Sequence, residues 1–244
     1  MKSISFSLII LVLLTFSCTS DTVNSEETIT RGTAAKKIKK AESLEEILTA
    51  ENPANIYDFA GKLHNDILEV YLNENYQYNT IPLISQQICA IVNANTEFSF
   101  LNLDNQPACL EKCQDIVNYP QMKFDESIAN SSLSNLAKVS FSDFMESLLF
   151  LEGVQYETVH QFIVSYESGV MADAQFSEED KRIILTTASI TRYSLYYEGR
   201  RKDKDWESSV GNRAGAFIGA VDNLDSAVGR SLVIGIMANL PATN

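Results

Sequence analysis

An all-helical body is what this sequence predicts, a single bundle of about six to eight helices behind a leader and a tether. Three observations carry that expectation. From Asn52 onward, apolar residues recur at intervals of three and four, as in Ile56, Phe59, Ala60, Leu63, Ile67 and Tyr71, which share one face of a 3.6-residue repeat. No stretch alternates apolar and polar residues between hairpin turns, as half-buried strands do. The five prolines and ten glycines fall mostly between the apolar stretches, where they punctuate helices instead of breaking them.

The first helix opens with Asn55 as its cap and Asp58 in its first turn, where a carboxylate suits the helix dipole. Ile84, Ile88, Ile91 and Val92 mark a second helix after Pro82, and residues 107–118 a short third one that stops near Pro120. Phe141, Phe144, Leu148 and Leu151 mark a fourth, and Val159, Phe162, Ile163, Tyr166 and Val170 a fifth. Ser177-Glu178-Glu179-Asp180 comes close to a capping box. It starts a sixth helix that runs to about Tyr197 with Ile184, Ala188, Thr191 and Leu195 on one side. A charged turn at 199–205 separates it from one or two closing helices between Trp206 and Leu240.

Three segments follow from this reading: a leader at 1–17, a tether with a short basic spacer at 18–51, and the all-α domain at 52–244. Met1-Lys2 precedes a short apolar run, Ile4 to Leu14, followed by small residues, the pattern of a secretory signal peptide. The apolar core of that run is too short to span a bilayer comfortably. Thr15-Phe16-Ser17-Cys18 resembles a bacterial lipobox, with Thr15 where that pattern has a branched apolar residue. Cys18-Thr19-Ser20-Asp21 resembles the relaxed signals of Bacteroidota lipoproteins. The resemblance implies acylation of Cys18 and, through Thr19, an outer-membrane address. Several acyl chains anchor a protein stably without any spanning helix. Residues 19–35, rich in Thr, Ser, Asp and Glu, then read as a flexible tether. Lys36, Lys37, Lys39 and Lys40 with Ile38, Leu44, Ile47 and Leu48 form the spacer, a solvated segment or a contact for anionic headgroups.

Tyr57-Asp58-Phe59-Ala60-Gly61-Lys62-Leu63-His64-Asn65, Leu185-Thr186-Thr187-Ala188-Ser189-Ile190-Thr191-Arg192-Tyr193-Ser194 and Asp205-Trp206-Glu207 carry a second likeness. In these stretches the chain resembles a group of uncharacterised Bacteroidota envelope proteins with no assigned activity. The likeness implies an address and no mechanism.

A formal net charge of −13 and a pI near 4.6 argue against nucleic acid, whose phosphates an acidic chain repels. Beyond Cys18 the cysteines are Cys89, Cys109 and Cys113. A disulfide from Cys89 to Cys109 or Cys113 and a set of buried thiols are both open readings in an oxidising envelope. With no CxxC and no second Cys/His pair, zinc is a poor fit. Glu157-Thr158-Val159-His160 has the Glu-x-x-His spacing of di-iron bundles, but the other histidine, His64, has Gly61 at the matching position. No metal and no cofactor is expected, and His64 reads as a packed, hydrogen-bonded histidine. Glycine-flanked serine, His-Glu-x-x-His and phosphate-loop motifs are missing, so no catalytic residue stands out.

A basic cluster offers the one binding reading. Arg192, Arg200, Arg201, Lys202 and Lys204, with Lys181 and Arg182 nearby, form a candidate patch for an anionic glycan, lipid headgroup or acidic protein. Gly211, Gly215 and Gly219 form a ladder that suits close helix approach inside a soluble bundle. The expected function is a lipid-anchored binding or structural module of the envelope. A carboxylate-dependent hydrolase and a membrane-active, bacteriocin-like protein are the alternatives.

Overall fold

The computed structural model describes residues 49–240 apart from 75, 77, 104–106, 152 and 201–209. The described residues hold nine α-helices and no strand. They are α1 (Asp58–Asn73), α2 (Ile81–Ala94), α3 (Pro107–Asn118), α4 (Pro120–Asn130), α5 (Asn135–Leu149), α6 (Tyr156–Ala172), α7 (Glu178–Arg200), α8 (Val210–Asp222) and α9 (Leu224–Ala238).

Helix α4 is the element the sequence reading passed over. Pro120 stands at the first position of α4, where its missing N–H costs nothing and its fixed φ favours the helix. Only Phe124 and Ile128 of α4 are buried, four residues apart, so its apolar stripe is too narrow to announce a helix. The capping box at Ser177 is present. The Asp180 amide donates to Ser177 Oγ at 3.0 Å, and the Ser177 amide donates to Asp180 Oδ2 at 3.0 Å. Asp180 also accepts from the Ser134 amide at 2.8 Å, which ties the start of α5 to the start of α7. Burial opposes the Asp180 charge, but these donors hold its carboxyl below the usual range.

Helix α7 occupies the centre. Residues 183–194 are buried without a break, polar ones included, so the helix is enclosed on every side. The one-sided stripe expected for it therefore understates its burial. Of its small hydroxyl residues, Thr187 bonds locally, its Oγ1 donating to the Ile183 carbonyl at 2.8 Å. Ser189 and Ser194 donate to Asp58 and Asn212 on neighbouring elements, and the Thr186 and Thr191 hydroxyls are buried without a partner. Helices α1, α6 and α8 pack around α7, and α9 closes against α8 and α1. A layer of rings joins α4, α5, α6 and α8, with Phe141 stacked on Phe217 at 4.9 Å and Phe144 stacked on Tyr166 at 3.9 Å.

The glycine ladder does what close helix approach requires. A Cβ at Gly219 would lie 2.3 Å from the Ser226 carbonyl oxygen, and one at Gly215 would lie 3.0 Å from the Arg230 carbonyl oxygen. Backbone of α9 thus occupies the space side chains of α8 would need. Gly61 plays the same part between α1 and α7, where a Cβ would fall 2.5 Å from the Ser189 carbonyl. No helix among the described residues is long and apolar enough to cross a membrane.

Candidate functional site

The most polar part of the interior lies where α1, α6 and α7 meet. Arg192 of α7 is fully buried, and its Nη2 pairs with Asp58 Oδ1 and, at 3.3 Å, with Glu167 Oε1 of α6. Glu167 is also fully buried. Its other partners come from the segment leading into α1. Asn52 Nδ2 donates to Glu167 Oε2 at 2.5 Å, and Asn55 Nδ2 donates to Glu167 Oε1 at 2.9 Å and to the Leu185 carbonyl at 3.1 Å. Asp58 takes two more donors, the Asn52 amide at 3.2 Å and the Tyr193 hydroxyl at 3.2 Å. Every oxygen of both carboxylates is therefore occupied. Burial works against the Arg192 charge, but Glu167 and Asp58 together raise its pKa above the ordinary arginine value. Two atoms of that guanidinium, Nε and Nη1, are buried without a hydrogen-bond partner. Asp58 further pulls on Tyr193: burial first, then that carboxylate, raise the phenol's pKa.

A second polar chain lies one turn along. His64 is fully buried, with Nδ1 3.0 Å from Asn65 Oδ1 and Nε2 3.3 Å from Asn212 Nδ2. Asn212 of α8 reaches the Ser231 carbonyl of α9 at 3.2 Å and accepts from Ser194 Oγ at 3.2 Å. Asn65 Nδ2 donates to the Tyr193 carbonyl at 2.7 Å. Burial drives the His64 pKa down to about 4, so the ring is neutral at ordinary pH. This histidine is the packed, hydrogen-bonded residue that was expected.

The stretches 57–65, in and before α1, and 185–194 on α7 thus pack against each other. Their junction is a fastening of buried polar groups, closed to solvent at Arg192 and Glu167.

Two expectations change. Arg192, expected in an anion-binding surface patch, is instead an interior ion-pair partner, because Asp58 and Glu167 supply its counter-charge inside the protein. Asn55, expected to cap the first helix, turns its amide inward to Glu167, and its Oδ1 accepts from the Tyr57 amide at 2.9 Å. Tyr57 holds the cap position of α1 without a side-chain bond. Lys181 and Arg182 also serve the fold. Lys181 Nζ donates to the Met171 carbonyl at 3.1 Å, and Arg182 Nη1 donates to the Ala220 carbonyl at 2.8 Å, at the C-terminal ends of α6 and α8. The side chain of Arg200, together with Arg201, Lys202 and Lys204, lies outside the described residues, as do Cys18, the leader and the spacer through Leu48.

Cys109 and Cys113 are buried and Cys89 is partly exposed. His160 Nε2 lies 3.3 Å from the Glu51 carbonyl, and no group of three or more potential metal ligands occurs among the described residues.

The sequence reading missed Glu167, Asn52 and Asn212, and gave Asn55 a different role. A signal for the ion pair was present: Glu167 falls four residues after Ile163, and Arg192 falls four after Ala188, so opposite charges sit on two apolar stripes. Asn52 gave none, because the sequence between Leu48 and Tyr57 looks like ordinary turn, and Asn212 gave none beside the glycine ladder of α8.

Surface grooves offer mixed charge. The groove between α3, α4 and α8, about 320 Å³, holds Asp115, Glu126 and Asp222. Each carboxylate there faces a cation: Lys123 lies 4.0 Å from Asp115 and 3.1 Å from Glu126, and Arg230 lies 2.5 Å from Asp222. No family model, no curated protein and no solved structure matches the chain.

Proposed function

We propose that the protein is a lipid-anchored module of the bacterial envelope that binds or scaffolds and does not catalyse. Acylation of Cys18 would hold it at the membrane, and the tether from 18 onward would set its distance. The observation that favours this reading is the network at Asn52, Asn55 and Asp58. Those three residues open the described domain, and buried bonds fasten them to Glu167 on α6 and to Arg192 on α7. A domain carried on an N-terminal leash benefits from such a fastening, since position or load arriving from that end passes straight into the central helix.

A carboxylate hydrolase is less well supported. It needs two accessible acidic groups with separated proton affinities, whereas the buried pair here shares an arginine and the groove acids face cations. The bacteriocin-like alternative drew on the glycine ladder, which α8 and α9 use on each other. For partners, the reading retains the membrane through Cys18 and an anionic glycan or protein at Arg200, Arg201, Lys202 and Lys204, with nucleic acid excluded by charge.

Replacing Cys18 by Ala tests the anchor. The parent chain should sediment with membranes and the variant should appear in the soluble envelope fraction. Unchanged partitioning, or an intact mass showing a retained leader, would remove the proposal's basis.

A further inference from the structure

Cys89 of α2 and Cys109 and Cys113 of α3 line one small cavity of about 20 Å³, together with Ile88, Val233 and Arg230. That volume holds about one water, so the three thiol-bearing side chains surround a single small space. Their environments differ. Cys109 and Cys113 are buried, while Cys89 is partly exposed. Arg230 Nε points at Cys109 Sγ at 3.5 Å. The same guanidinium donates from Nη1 to the Ile218 carbonyl at 3.0 Å and from Nη2 to Asp222 at 2.5 Å, so it is held in place from both sides. Cys109 also falls in the first turn of α3, where the positive end of the helix dipole lies. A guanidinium and a helix start both favour negative charge on sulfur, the condition under which cysteine reacts.

We infer that this cavity is a thiol–disulfide exchange site, in which partly exposed Cys89 takes up an incoming disulfide and Arg230-held Cys109 resolves it. In the first step the Cys89 thiolate attacks a small-molecule or protein disulfide. The donor's S–S bond breaks, a mixed disulfide forms on Cys89, and one donor thiolate leaves. In the second step the Cys109 thiolate attacks the Cys89 sulfur, the Cys89–Cys109 bond forms, and the second donor thiolate leaves. The protein gives up two electrons and two protons, and the donor disulfide is reduced to two thiols. Cys113 lies one turn further along α3, past the helix start that favours a thiolate at Cys109. The product would clip α2 to α3. This site does not depend on the membrane anchor.

The test uses the full chain carrying Cys18→Ala, so that only these three thiols report. Oxidised glutathione is the probe, and intact mass with disulfide mapping is the readout. The expected result is the loss of two hydrogen atoms, a mapped Cys89–Cys109 bond, and a raised melting temperature for the oxidised chain. Cys113→Ser should oxidise at the parent rate. Arg230→Gln should slow the second step by about ten-fold or more, with the glutathione adduct on Cys89 accumulating. If Arg230→Gln fails to fold, the Cys113→Ser comparison and the mapped pair decide alone. A Cys89–Cys113 bond, or three intact thiols in a folded chain after prolonged exposure to excess oxidised glutathione, overturns the inference.

Discussion

His64 shows how one buried ring makes stability depend on pH. Its pKa is about 4 in the folded protein, against an ordinary value of 6.5. Above 6.5 the ring is neutral in both states and contributes no slope. Between 6.5 and 4 the unfolded chain binds a proton that the folded one refuses, so stability falls as pH falls, and the effect levels off below 4. The full difference amounts to roughly 3 kcal/mol. Urea midpoints at pH 7 and pH 4.5 should therefore converge more closely in His64→Gln than in the parent, which subtracts the carboxylates that titrate in the same range. Equal shifts in both chains would mean that the ring takes up its proton without unfolding. Arg192 gives the second prediction at this scale. Arg192→Met leaves Asp58 and Glu167 as uncompensated charges inside the protein and should cost about 3–5 kcal/mol. Adding Asp58→Asn and Glu167→Gln to the same chain should recover part of that loss in chemical denaturation. A single substitution that costs nothing would show that water already solvates the network.

Among the elements, glycines separate propensity from packing. Each glycine inside a helix is worth about 1 kcal/mol less than alanine, so propensity alone predicts a gain from every Gly→Ala change. Gly169 of α6 is exposed, with nothing within 4 Å of where its Cβ would stand, and Gly169→Ala should stabilise by about 0.5–1 kcal/mol. Gly219→Ala should do the reverse. Its Cβ would meet backbone atoms of Ser226 and Ala227 at 2.3–2.5 Å, and prying α8 from α9 should cost about 2–3 kcal/mol. Thermal melts of the two variants should move in opposite directions. Helices α1, α2, α3 and α5 to α7 were legible because wide apolar stripes and ordinary punctuation mark them. Helix α4 was not, since Pro120 reads equally as a stop for α3 and a start for the next helix, and two buried residues make a faint stripe.

For the whole molecule, α7 is the axis on which the other helices assemble. Amides of residues 183–194 should exchange with solvent only through global unfolding, at the slowest rates in the chain, while those around the exposed Phe150 should exchange far faster. Hydrogen-exchange mass spectrometry reads this directly, and fast exchange in the centre of α7 would remove it from the core. The candidate site was only half legible. Asp58, His64 and Arg192 all drew notice, but each was read within its own segment: as a dipole partner, a packed ring and a surface cation.

The sequence by itself determined the helical class, most of the helix positions and the inward face of most helices, because those depend on neighbours three and four residues apart. Which charges are interior was decided only by the tertiary structure. Asp58 lies more than a hundred positions from Glu167 and Arg192, and those two lie 25 apart on different helices. An arginine on an exposed turn and an arginine holding two helices together therefore look the same until their counter-charges arrive from elsewhere. For Gly215 and Gly219 the spacing already pointed to close helix approach, and the tertiary structure supplied the partner, the backbone of α9 that fills the space.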